Sequence, residues 1–274
     1  MIEVGSDRIE AYRNLLLGRE VDLLIDAVLR GNANARLWVS PQGTGVSAAL
    51  LWDPCNNVLY LGGNLSTSDR LAGLEAALDT IQTDCAQRGR RWLRGRGITE
   101  HARQALKSAL GGIQPNTMRR RLYAYRQESL DLVRYPAPNG VEILPINRQL
   151  MEGRRPGNAD AIIVEITKMW PSLDTYYRRG IGFAALAGDA AVCWCTAEYM
   201  GGSQCGIGIE TVEDMQGRGV GTAVAARFVA ECLERAVMPH WDCSLANPAS
   251  MHLAEKLGFE AEGEAEFLAW SIPE

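Results

Sequence analysis

The chain contains one stretch that decides its fold, 206-GIGIETVEDMQGRGVGT-222. An apolar run ends near Val212, a glycine-rich turn follows, and a helix begins at once. In that helix, predicted for 219–237, apolar residues recur at three- and four-residue steps and form two adjacent stripes. Stripes of that combined width are typical of a helix packed against a sheet. The stretch therefore predicts a strand, a turn and a helix of an α/β protein.

The turn carries glycines at alternate positions, Gly217, Gly219 and Gly221. With so little side chain present, backbone N–H groups at the start of the helix can approach an anion closely, and the partial positive charge there favours phosphate. Arg218 can add a charge-assisted contact. The alternative is that the glycines only permit a tight turn and close packing of the helix on its strand.

A nicotinamide cofactor is a second candidate for the phosphate ligand. Its usual turn reads G-x-G-x-x-G and follows the strand directly, whereas here the spacing is G-x-G-x-G and residues 213–216 intervene. Asp242 nevertheless lies about where a ligand for an adenosine ribose is wanted. A nicotinamide-dependent oxidoreductase therefore stays open as an alternative.

Composition and charge exclude several classes of protein. The 274 residues are 47% hydrophobic and 22% charged, with a formal net charge of −5, which is ordinary for a globular protein. This balance gives no attraction to nucleic acid or to an anionic membrane. There is no apolar run of about 18 residues and no basic segment followed by an apolar one at the N-terminus. We expect a cytoplasmic protein, a monomer or a homodimer, without nucleic-acid or membrane partners.

Metal and hydrolase motifs are missing. The seven cysteines include no C-x-x-C, the three histidines form no H-E-x-x-H, and G-x-S-x-G does not occur. Seven is an odd number in a chain long enough to need no bridges, which suits reduced thiols. We expect neither a metal site nor a serine-hydrolase nucleophile.

The predicted elements repeat along the chain. Each half shows three strands, a helix, a strand, a helix and a final strand, the first half preceded by a long helical pattern at 7–30. The segment 135-YPAPNG-140 can continue neither a helix nor a central strand. The predicted division is a half at 1–134, a connection at 135–140 and a half at 141–274.

Two segments of the second half resemble the GNAT acetyltransferase superfamily. The loop 216-QGRGVG-221 is similar to its Q/R-x-x-G-x-G/A pyrophosphate loop, and 247-NPASMHLAEKLGF-259 resembles its second signature, an Asn that begins a helix ending in Gly-Phe. The segment 239–259 is closer still to proteins related to the zwittermicin A resistance acetyltransferase. The first half shows only 60-YLGGN-64 as a recognisable piece, which suggests a degenerate GNAT-like half.

This resemblance implies a fold and a binding mode. The fold is two fused GNAT-like halves, each a mixed sheet flanked by helices, with acetyl-CoA as acyl donor between two parallel strands of the second half. The backbone of Glu210, Thr211 and Val212 would pair with the pantetheine arm, and Asn247 would bond its amide. Asn247 is equally well explained as the cap of its helix, with Pro248 as first residue. The diphosphate would lie on Gln216, Gly217, Arg218, Gly219, Val220, Gly221 and Thr222.

The implied reaction moves an acetyl group to a primary amine of a small molecule. Glu210 is the predicted base, because burial in its apolar strand would raise its pKa, and Asp242, Glu198 and His240 are lesser candidates. An N–H near Thr211 or Val212 would hold the oxyanion. Many members carry Tyr where this chain has Ala254, so Ser250, His252 or an ordered water would protonate the departing thiolate, or the thiolate would leave unprotonated. A non-catalytic module that binds CoA or a partner is the alternative.

Overall fold

The computed structural model describes residues 1–272 of the chain. Their contacts form two compact units, the first made of Met1–Arg119 with the chain from Ala265 onward, the second of Arg120–Glu264. Across residues 1–272, no helix combines the length and the apolar character that crossing a bilayer requires.

The strands and helices follow the predicted order closely. The strands are β1 (Ile2–Val4), β2 (Arg36–Gln42), β3 (Gly45–Asp53), β4 (Val58–Gly63), β5 (Trp92–Gly97), β6 (Asn116–Tyr125), β7 (Val141–Pro145), β8 (Gly182–Ala187), β9 (Ala190–Met200), β10 (Gln204–Thr211), β11 (Met238–Ser244) and β12 (Phe259–Ser271). The α-helices are α1 (Arg19–Leu29), α2 (Ser68–Gln87), α3 (Glu100–Ala109), α4 (Ala159–Met169), α5 (Leu173–Arg179), α6 (Val220–Glu234) and α7 (Pro248–Lys256).

The first unit is a mixed sheet in the order β1-β2-β3-β4-β5-β12. All its neighbours are antiparallel except β4 and β5, which are parallel. Helices α2 and α3 bury the apolar residues Leu74, Ile81 and Leu106 against Trp52 and Leu59 of the sheet. Burial of this kind is the main source of stability for such a layer.

The second unit repeats this arrangement in the order β7-β8-β9-β10-β11-β6. Its one parallel pair is β10 with β11. Helix α6 packs against β8, β9, β10 and β11, and α7 packs against β11. Both units are mixed sheets with flanking helices, so the prediction of an α/β fold with this architecture is confirmed.

The last strand of each half of the chain runs into the unit that the other half builds: residues 120–125 of β6 belong to the second unit and residues 265–271 of β12 to the first. Residues 120–124 of β6 pair with β11, and Leu268–Ser271 of β12 pair with β5. The predicted division at 135–140 rests on the order of the elements along the chain. The two units are instead defined by contacts, which depend on which strands pair with each other. The division into 1–134, 135–140 and 141–274 therefore stays a prediction about how the chain is built.

The predicted helix at 7–30 is wrong in detail. A 3-10 helix covers Ser6–Leu15 and ends there, and α1 begins only at Arg19. Gly18 has a φ of 149°, which a residue with a side chain rarely adopts, so the helix cannot pass through it. Helix α5 was also missed, although Ser172 accepts a hydrogen bond from the Thr175 amide and is a recognisable helix cap.

The parallel strands of the first unit stay paired along their length. Their register runs from Val58 opposite Arg94 to Leu61 opposite Gly97. Beyond that point the Ile98 amide still donates to the Leu61 carbonyl at 2.8 Å. No gap therefore opens between β4 and β5 in the part of the chain that the structure describes.

Gly62, at the end of β4, should be intolerant of any side chain. A Cβ there would lie 1.7 Å from the Leu15 carbonyl oxygen. We expect Gly62→Ala to lower the free energy of unfolding by about 1–3 kcal/mol, the usual cost of overpacking. The measurement is the urea midpoint. Gly112→Ala is the control, because its Cβ would meet nothing within 4 Å, and equal midpoints for the two variants would contradict the packing.

Candidate functional site

The parallel strands of the second unit pair only at their start. The register of β10 with β11 runs from Gln204 opposite Met238 to Gly206 opposite His240. Both strands then continue, β10 to Thr211 and β11 to Ser244, without pairing with each other among the described residues. Their outer edges stay bonded to β9 and to β6. A V-shaped gap therefore opens toward the carboxyl ends of the two strands.

A cavity of 210 Å³ lies in this gap. Its walls are parts of β6, β9, β10 and β11 and the start of α7. The lining residues are Arg120, Glu198, Ile207, Gly208, Ile209, Trp241, Asp242, Cys243, Ser244, Asn247 and Ser250.

The direction of the β10 backbone decides which groups face the gap. The Val212 amide donates to the Val192 carbonyl at 3.0 Å, and the Val212 carbonyl accepts from the Met215 amide at 2.9 Å. Because N–H and C=O groups alternate sides along a strand, the backbone of Glu210 also faces β9, while that of Ile209 and Thr211 faces the gap. The backbone of Glu210 and Val212 is thus directed to β9 and that of Thr211 to the gap, and the contacts of all three with a pantetheine arm stay a prediction.

The glycine turn lies at the open end of the gap. A short 3-10 turn at Glu213–Met215 precedes it, and Gly217 and Gly219 have φ values of 71° and 81°. Gly219 caps α6 and has no side chain with which to bond the first amides of the helix. By helix geometry those amides have no carbonyl partner inside the helix. The turn thus presents N–H donors to solvent.

Gln216 and Gly221 hold the turn on β10. The Gln216 side chain donates to the Thr211 carbonyl at 3.0 Å, and its own amide donates to the Glu213 carbonyl. A Cβ at Gly221 would lie 3.2 Å from the Thr211 hydroxyl, so a small residue there lets helix and strand meet. Arg218 is exposed and has no carboxylate partner among residues 1–272.

The second signature forms α7, whose start lines the cavity. The Asn247 side-chain oxygen accepts from the Ser250 amide at 3.0 Å, and Pro248 is the first helical residue, so the capping interpretation is confirmed. The Ser250 hydroxyl accepts from the Trp241 indole at 3.0 Å. It also lies beside Cys243, where burial raises the pKa of the thiol and the hydroxyl partly offsets that rise.

Three charged side chains lie in the cavity wall. Arg120 donates to the carboxylate of Asp242 and, at 3.1 Å, to the backbone carbonyl oxygen of the same residue. Burial opposes the charge on Arg120, but Asp242 outweighs it and raises the Arg120 pKa. Glu198 lies over Gly208, where a Cβ would come within 2.8 Å of its carboxylate oxygen. The gap therefore holds one guanidinium and two carboxylates, and the charges of both Asp242 and Glu198 favour the charged form of Arg120.

Several predicted catalytic residues lie elsewhere than expected. Glu210 is exposed, so the burial predicted for it is wrong, and the cavity is lined by Glu198 instead. His240 is buried at the closed end of the gap, and His252 is exposed outside it. Ala254 is fully buried in the core beneath α7.

Arg120 was not predicted as part of the site. It lies 122 positions before its partner Asp242, and only the pairing of β6 with β11 brings the two together. No local pattern in the sequence signals that pairing. Asp242, Asn247 and Ser250, by contrast, were predicted, and the structure brings all three to the cavity.

Comparison with known proteins gives a family and a fold. A family model described as GNAT acetyltransferase matches residues 23–268. An uncharacterized N-acetyltransferase, YdfB of Bacillus subtilis, is 32% identical over 149 residues, which are 54% of this chain and 55% of that protein. The match thus spans about half the length of this curated relative.

Solved structures share the fold at low identity. A GCN5-related N-acetyltransferase-like protein from Streptococcus suis superposes with a TM-score of 0.69 at 18% identity, covering 97% of this chain and 99% of its own. A tandem GNAT protein from the clavulanic acid biosynthesis pathway gives 0.55 at 14% identity, covering 100% and 98%. The predicted fold of two fused GNAT-like halves is confirmed.

Substitution of Asn247 separates its capping role from a contact with ligand. We expect Asn247→Ala to cost about 1 kcal/mol of stability and Asn247→Ser to cost only a few tenths, since serine caps a helix as well. Chemical unfolding measures both. If the serine variant is as stable as the native protein yet binds CoA more weakly by calorimetry, the amide group also contacts ligand. A serine variant as unstable as the alanine variant would contradict the cap.

Proposed function

The chain belongs to the GNAT acetyltransferase family, and we propose that it is an acyl-CoA-dependent N-acetyltransferase that moves an acetyl group from acetyl-CoA to a primary amine of a small molecule. The observation that carries this proposal is the gap between β10 and β11 with a glycine turn at its open end. Family membership leaves the nicotinamide-dependent alternative without support.

The residues present fit a CoA thioester. The amides of 217–222 at the start of α6 suit a diphosphate, and Arg218 adds a positive charge without a competing carboxylate. The inward backbone groups of Ile209 and Thr211 suit the amides of a pantetheine arm, which would pair as an added strand does. The Asn247 oxygen is used by its helix, so its amide nitrogen is the group left for the arm.

Acetyl-CoA supplies a thioester whose carbonyl carbon an amine can attack. The amine must lose a proton, because a free primary amine is protonated near neutral pH. Glu198 lines the cavity and is our first candidate to accept it, while Glu210 remains a second candidate at the open end. The carboxylate of Asp242 is bound by Arg120, which makes it a poorer base.

We assign two groups to the charges that develop during the transfer, one to the oxyanion and one to the departing sulfur. The Ile209 amide, which faces the gap, is the donor we assign to the oxyanion, and the Thr211 amide is left for the pantetheine arm. The Ser250 hydroxyl, which accepts from Trp241, is the group we assign to the departing sulfur. In this role the Ser250 hydroxyl replaces the tyrosine hydroxyl that many members of the family carry at the position of Ala254.

The acceptor is an amine of unestablished structure. The resemblance to proteins related to the zwittermicin A resistance acetyltransferase supports an aminopolyol-like metabolite. The competing function, a non-catalytic CoA-binding module, is favoured by Ala254. Release of CoA thiol from acetyl-CoA, followed across a library of amines, tests the proposal, and an absence of turnover with every amine would favour the competing function.

The glycine turn gives the sharpest test of cofactor binding. We expect Gly219→Asp to weaken CoA binding at least 100-fold in calorimetry, because a carboxylate at the start of α6 repels the diphosphate and blocks the amides. Gly188→Asp is the matched control, since Gly188 also has positive φ (61° against 81°) and open space, but lies in another turn. Unchanged affinity in the Gly219 variant would show that the turn is not the diphosphate site.

The two candidate bases are compared by matched amide substitutions. With an amine found in the library, we expect Glu198→Gln to lower kcat about 100-fold while CoA affinity stays within twofold, because a base is lost and no cofactor contact is. Glu210→Gln, at an exposed position, should change kcat less than threefold. A larger fall in kcat for Glu210→Gln than for Glu198→Gln would identify Glu210 as the base instead.

A further inference from the structure

The first unit contains a cavity that no part of the proposed reaction uses. It measures 480 Å³, more than twice the 210 Å³ of the gap between β10 and β11. It lies between the 3-10 helix Ser6–Leu15 and the strands β1, β2 and β3, close to the turn that joins β2 to β3. Ligand sites of small molecules commonly have volumes of about 300–1,000 Å³.

The matching corner of the second unit is closed by the chain itself. There Gly157 crosses the turn between β8 and β9, donating to the Asp189 carbonyl at 2.7 Å and accepting from the Ala191 amide at 2.8 Å. In the described part of the first unit no segment bonds to the β2–β3 turn in this way, and the cavity takes that place. In its described residues the first unit thus has no gap between its parallel strands, and it has an opening beside the β2–β3 turn instead.

Aliphatic side chains line the strand side of this cavity, while polar groups make up more of its exposed surface. Ile2 and Val4 of β1, Val39 of β2 and Val46 of β3 line it. Ile2 is 55% exposed. An apolar body in the cavity would remove this surface from water.

One charged residue lines the cavity, Arg8. Among residues 1–272, no acidic side chain lies within ion-pair distance of it. The neighbouring Asp7 forms no ion pair with Arg8, and four other acids of this region bind other arginines. Glu10, Asp22 and Asp26 all bind Arg13, and Glu3 binds Arg36. Arg8 is therefore an exposed cation without an ion-pair partner at the edge of this cavity.

We propose that this cavity binds a small amphipathic anion, with its apolar body against the strands and its carboxylate, sulfonate or phosphate on Arg8. Asn14 and Thr44 also line the cavity and offer polar contacts at its edge. A guanidinium without an ion-pair partner favours an anion, and the aliphatic side chains of the strands favour a hydrocarbon body on that side of the cavity. This site is independent of the proposed acetyl transfer.

The test uses a fluorescent anion of this chemistry, 8-anilinonaphthalene-1-sulfonate, titrated into the full chain. We expect Arg8→Glu to weaken its binding at least tenfold. Arg70→Glu should leave binding within twofold, because Arg70 also lacks an acidic partner among the described residues but lies on α2, outside the cavity. Ala11→Trp, at an exposed lining position, should weaken binding by filling the cavity, and circular dichroism verifies the fold of each variant.

Competition experiments identify the charge that the ligand must carry and the cavity in which the probe binds. Decanoate should displace the probe at a concentration at least tenfold lower than decylamine, and saturating acetyl-CoA should not displace it. Equal displacement by both decyl compounds, displacement by acetyl-CoA, or an Arg8→Glu variant that binds as the native chain does would each overturn the proposal.

Discussion

The parting of β10 and β11 after Gly206 is the constraint on which the site depends. Backbone groups in a sheet interior must be paired, so two neighbouring strands that separate leave a row of donors and acceptors in need of a partner. Strands β9 and β6 hold the outer edges in place, which keeps the inner edges apart. A ligand that carries amides of its own, as a pantetheine arm does, is the natural complement to such a gap.

The two units have the same order of strands, but only in the second do the two parallel strands separate. In the first unit β4 and β5 pair throughout, and Gly62 lets the Leu15 backbone lie directly on the end of β4. In the second unit the equivalent strand end is followed by the glycine turn and α6, and nothing in the described chain covers the amides there. One fold thus gives a filled layer in one unit and a binding gap in the other.

Charge in the gap depends on residues from distant parts of the chain. Arg120 reaches Asp242 because β6 pairs with β11, and Glu198 has room because Gly208 carries no side chain. An ion pair together with one more carboxylate leaves the gap with a negative balance among its lining residues. In the function proposed above, that balance would favour the approach of an amine in its cationic form.

The sequence by itself determined the parts of this protein that depend on local periodicity and turn chemistry. The strand, glycine turn and helix at 206–222 and the capped helix that Asn247 begins were predictable, because each is specified by neighbours within a few residues. Tertiary structure alone decided that Val212 bonds to β9, that Glu210 is exposed while Glu198 lines the gap, and that Arg120 belongs to the site. These depend on strand register and on which strands become neighbours, and pairing between residues far apart in the chain leaves no local signal in a single sequence.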